Sequence, residues 1–99
     1  MTAHPTTALT MALRGLDRAR AAAFDRATPL YRQARKLERR GGAAHADALA
    51  EYDAAVAEWG RLRGLRDAVA RELAAVEATM TADERYQTWL ADTLAEVAA

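Results

Sequence analysis

The chain has 99 residues, 28% of them charged, and no net charge at pH 7. That is enough for one small domain, residues 1–99, and the lack of cysteine excludes a disulfide framework, a thiolate nucleophile and a cysteine metal site. Alanine supplies 27 residues, there is no isoleucine, and leucine is the commonest larger apolar residue, so composition favours helix and disfavours sheet.

The first predicted element covers about residues 6–40. Leu9, Leu13, Leu16, Arg20, Ala23, Ala27, Leu30, Ala34 and Leu37 recur in alternating steps of four and three. This is the period of a helix packed along a coiled-coil seam. Only Arg20 breaks its polarity. Thr28-Pro29 interrupts the run with an N-capping residue and a residue suited to a first helical turn, so the helix is either kinked or broken there.

Gly41-Gly42 is the clearest break in the chain, and the basic residues before it suit the negative end of a helix. A second helix is predicted over about 44–78. Its apolar face is expected to be Leu49, Tyr52, Val56, Trp59, Leu62, Leu65, Val69, Leu73, Val76 and Met80. Gly60 and Gly64 lie inside it and predict a bend or a close contact. Thr81 and Glu84 fit a capping box, opening a third helix over about 82–97. Tyr86, Trp89 or Leu90, Leu94 and Val97 fall on one side of it. The expected fold is therefore all-α. It is a long antiparallel, coiled-coil-like helical hairpin followed by a short third C-terminal helix.

Charge is unevenly spread along this hairpin. Nine of the basic residues fall in 1–42, and eleven of the acidic ones in 43–99. The densest cluster is Arg32, Arg35, Lys36, Arg39 and Arg40. An antiparallel hairpin turning at Gly41-Gly42 places Lys36 near Asp47, Arg32 near Glu51 and Arg20 level with Arg63. The basic cluster thus has expected intramolecular partners. It also forms a candidate patch for nucleic acid, although no base-reading motif accompanies it and Tyr31 is its one interleaved aromatic.

No catalytic constellation is evident. His4 and His45 are the only histidines, and neither has a metal-ligand spacing. The glycines lack the strand and lysine context of a phosphate loop. The N-terminal stretch has no positively charged segment leading an apolar core, so no signal peptide is expected, and no apolar run is long enough to span a membrane. The sequence predicts a cytoplasmic, non-enzymatic protein without cofactor, metal or small-molecule ligand. Its expected partner is a protein or another copy of itself. The predicted interface is the turn-side half of the hairpin, carrying Leu30, Tyr31, Leu37, Leu49, Tyr52, Val56 and Trp59, with Phe24 beside them. Nucleic-acid binding through the basic first helix is the competing expectation.

Overall fold

A computed structural model describes residues 5–98. His4 lies outside the described residues. Three helices follow one another: α1 (Pro5–Leu37), α2 (Gly42–Glu77) and α3 (Ala82–Ala98). There is no strand among the described residues. α1 and α2 pack as an antiparallel hairpin, and α3 is the short C-terminal helix. No helix is long and apolar enough to cross a membrane.

α1 runs through Pro29 as one helix. The ring removes one backbone donor, the one that would reach the Asp25 carbonyl. Pro29 and Asp25 are both exposed, so water can satisfy that carbonyl. One residue earlier the Thr28 hydroxyl donates to the Phe24 carbonyl at 3.2 Å, a back-bond of the kind that lets a helix bend locally without breaking.

The connection between α1 and α2 is made by glycine conformation. The Arg40 and Gly41 amides both donate to the Leu37 carbonyl, at 3.0 and 3.1 Å. Gly41 (φ 60°) and Gly42 (φ 76°) then take the left-handed conformation that a side chain disfavours.

Contacts divide the chain into two compact units. One contains residues 16–65, the turn-side stretches of α1 and α2. The other joins residues 5–15 to 66–98, and α3 belongs to it.

In the turn-side unit the buried side chains are Ala23, Ala27, Ala34, Ala48 and Leu62. All three from α1 are alanines of the predicted heptad. α2 follows a strict heptad of its own: His45, Ala48, Tyr52, Ala55, Trp59 and Leu62 are each buried or half-buried. Leu49, Val56 and Leu65, expected on the packed face because of their size, are instead exposed. Alanine at the seam lets the two backbones approach, and the larger neighbours are displaced to the flanks.

In the other unit Thr6 and Met80 are buried, while Leu9, Leu13, Val69, Leu73 and Val76 are half-buried. The capping box forms. The Glu84 amide donates to the Thr81 hydroxyl at 3.2 Å, and that hydroxyl donates to the Glu84 carboxylate at 3.0 Å. The Arg85 guanidinium donates twice to the Glu77 carbonyl, at 3.2 and 3.0 Å, closing the end of α2. Arg14 pairs with Glu96 at 3.2 Å. The larger apolar residues of α3, Tyr86, Trp89, Leu94 and Val97, are exposed, and only Leu90 is half-buried.

Candidate functional site

Phe24 and Tyr31 in α1 directly follow the seam residues Ala23 and Leu30. Leu49 and Val56 in α2 directly follow Ala48 and Ala55. In an antiparallel helix pair these equivalent heptad positions line the same flank. The side chains confirm it. The Tyr31 and Tyr52 rings lie 5.5 Å apart, tilted by 53°. Phe24, Ala27, Tyr52, Val56 and Trp59 enclose a depression of about 150 Å³. A second one, about 200 Å³, lies between Tyr31, Ala34, Arg35, Glu38, His45, Leu49 and Tyr52. A third, about 330 Å³, is formed by Asp17, Arg20, Ala21, Phe24, Asp25 and Trp59.

These depressions share residues and make one continuous strip, apolar along its middle and bounded by Asp17, Arg20 and Asp25 at one end and by Arg35, Glu38 and His45 at the other. Phe24 is 60% exposed, Tyr31 48%, Val56 42% and Leu49 40%. Tyr52 and Trp59 form its half-buried floor. Of the residues expected at the interface, Tyr31, Leu49, Tyr52, Val56 and Trp59 are thus brought together. Leu30 and Leu37 are half-buried and line none of these depressions. Phe24 is the most exposed member of the strip.

The charges around the strip are arranged differently from the expectation. Arg32, Arg35, Lys36, Arg39 and Arg40 are all exposed. Among the described residues, no ion pair joins Lys36 to Asp47 or Arg32 to Glu51. In each helix's heptad, Lys36 and Asp47 fall on the side away from the seam, so being level along the axis does not bring them together. Arg35 pairs instead with Glu38, one turn away in the chain, at 3.1 Å. The opposite flank of the hairpin is the charged one. There Glu58 binds Arg61 through two bonds, at 2.9 and 2.6 Å. That bonding to Arg61, with a further contribution from Arg26, holds the Glu58 carboxyl below its ordinary value.

Arg20 and Arg63, expected to confront each other near the seam, are each engaged separately. Arg20 pairs with Asp17 at 3.7 Å. The Arg63 guanidinium lies over the Trp59 ring, 5.5 Å from its centroid. A cation over an aromatic face is attracted to it and also screens the ring's edge of the strip.

The other unit holds a polar groove of about 440 Å³ between α1, α2 and α3, lined by Thr6, Thr10, Arg14, Glu77, Arg85, Trp89 and Asp92 among others. One Asp92 carboxylate oxygen is buried there without a hydrogen-bond partner. No spacing along the chain signals this groove, because its polar residues come from three separate helices. Among the described residues no group of three His, Asp or Glu side chains could hold a metal ion.

Compared with protein-family models, with curated proteins and with solved structures, the chain matches none.

Proposed function

We propose that the protein is a non-enzymatic helical interaction or assembly module that engages a protein partner, or a second copy of itself, through the apolar flank of its hairpin. The observation that carries this reading is an imbalance in the turn-side unit. Its buried side chains are four alanines and one leucine, while Phe24, Tyr31, Leu49 and Val56 stand exposed in one strip. Contiguous apolar patches of several hundred Å² on a small protein mark interaction sites. Tyr52 and Trp59, at the floor of the strip, are residue types that dominate such contacts. The expected setting is the cytoplasm, and no cofactor takes part in the reading.

The test is co-purification from cells that also express an untagged copy. The tagged wild-type chain is compared with a variant carrying Phe24→Asp, Tyr31→Asp and Val56→Asp, all exposed positions. The wild type should retain a protein, the untagged copy included, that the variant loses. Identical recoveries would overturn the reading.

A second reading rests on the basic residues. Arg32 and Lys36 do not form the intramolecular pairs that their register suggested, and Arg39 makes no ion pair among the described residues, so their charge is available to phosphate. A small nucleic-acid-binding protein would shift generic DNA or RNA in a gel, with binding that falls steeply as salt rises. Charge reversal at Arg32 and Arg39 would abolish that shift and leave the strip-dependent recovery intact.

A further inference from the structure

Resting on the interaction reading, we infer that the occupant of the strip is a second copy of this chain, and that α1 of each copy lies along α2 of the other. The two sides of the strip are unlike each other. The α1 side is bulky: Phe24 and Tyr31 project from it, with Arg32 and Arg39 beyond them, Asp25 beside Phe24 and Arg35 paired with Glu38. The α2 side is small. Beyond Leu49 and Val56 it carries Ala46, Ala50, Asp53, Ala57, Gly60 and Gly64, all exposed.

Gly60 and Gly64 need an explanation. Each lies inside α2 with a negative φ, and a Cβ added at either would meet no atom within 4 Å. Among the described residues no turn or contact requires glycine there, yet glycine weakens a helix by about 1 kcal/mol relative to alanine. Open space above Gly60, which is level with Phe24, suits the close approach of a bulky helix edge, and Gly64 lies one turn further along, at the end of the strip. The α1 side of a second copy is such an edge.

A two-fold axis along the hairpin meets these demands on both copies at once, as an isologous interface must. It sets large against small twice, and it keeps neighbouring helices antiparallel. It also brings Arg32 of one copy nearly level with Asp53 of the other. Among the described residues neither of them makes an ion pair. The alternative, α1 against α1, would set the bulky Phe24 and Tyr31 edges against each other. The size is adequate as well. From the level of Arg20 to that of Glu38 the flank is about 27 Å long, and two helices are about 20 Å wide. The footprint of about 540 Å² in projection corresponds to a larger accessible area, near the ~800 Å² that each partner gives a standard interface.

Two experiments on the full chain test this. In sedimentation equilibrium the wild type should dimerise over micromolar to near-millimolar concentrations. Gly60→Leu with Gly64→Leu should be monomeric while melting at the same or a higher temperature, because leucine favours helix. A loss of dimer therefore cannot be ascribed to unfolding. The chain has no cysteine, so single cysteines report geometry cleanly. Thr28→Cys mixed with Ala57→Cys should give the mixed disulfide as the dominant product. A dimer in which Thr28→Cys links mainly to itself would overturn the arrangement. A wild type that stays monomeric throughout would overturn self-pairing, and strip-dependent recovery of a different protein would still sustain the interaction reading.

Discussion

Tyr31 and Tyr52 face each other across the hairpin, with ring centroids 5.5 Å apart. This one contact fixes the register of α1 against α2. The same register sets Phe24 beside Trp59 and Arg26 near Glu58. A one-turn slip would carry Tyr31 off Tyr52 and put Arg26 out of reach of Glu58. The ring pair should therefore be coupled energetically. In a double-mutant cycle with Tyr31→Ala and Tyr52→Ala, the interaction energy is expected at about 0.5–1.5 kcal/mol. Tyr52→Ala alone should cost about 2 kcal/mol, less than for a fully buried aromatic because Tyr52 is half-exposed. Urea unfolding at one fixed protein concentration measures both.

The turn gives a contrast between glycines. Gly41 and Gly42 have positive φ and should each lose about 1–2 kcal/mol on replacement by alanine. Gly60 is helical with open space over it, so Gly60→Ala should stabilise the isolated hairpin by about 0.5–1 kcal/mol. Opposite shifts in thermal midpoint for Gly41→Ala and Gly60→Ala, at a concentration where the protein is monomeric, are the expected result.

The α1 seam was legible because leucine and alanine hold a heptad interrupted only by Arg20, and the structure even extends it back to Thr6. The α2 seam was legible only in part: Tyr52, Trp59, Leu62, Val69, Leu73 and Val76 lie on it, and its alanines and Arg66 were passed over. Its heptad runs through Ala48, Ala55 and Arg66, whereas size points to Leu49, Val56 and Leu65. With 27 alanines in the chain, an alanine carries little information about which side is buried. The residues passed over at the seam are also the reason for the strip, because they leave the larger side chains outside. α3 shows another limit. Arg85 and Arg14 hold it by polar contacts whose partners lie in other helices, and no periodicity within residues 82–98 discloses them. The capping box at Thr81 and Glu84 is local and was readable.

Arg20 interrupts the α1 seam with its side chain 34% exposed. Its 3.7 Å pair with Asp17 lies within one helix and near the surface, where such pairs contribute about 0–1 kcal/mol. Leucine at this position would bury apolar surface against α2 without desolvating a guanidinium. Arg20→Leu is expected to raise unfolding free energy by about 1 kcal/mol. A decrease in urea midpoint would show that Arg20 belongs to a stabilising network.

Acid should weaken the charged flank opposite the strip. Bonding to Arg61 and, secondarily, the nearby Arg26 lower the Glu58 pKa from its ordinary value of 4.5. A carboxyl lowered in the folded state binds its proton less readily there than in the unfolded chain. Its contribution is therefore complete above the unfolded value and is lost as pH falls through the folded one. The window lies around and below pH 4.5. Both side chains are exposed, so salt should shrink the effect. Glu58→Gln removes the titrating group while keeping its shape. Thermal midpoints recorded from neutral pH downward should fall less steeply for Glu58→Gln than for the wild type, with the two slopes converging in high salt. Parallel curves at low salt would show that the Glu58–Arg61 pair contributes nothing to stability.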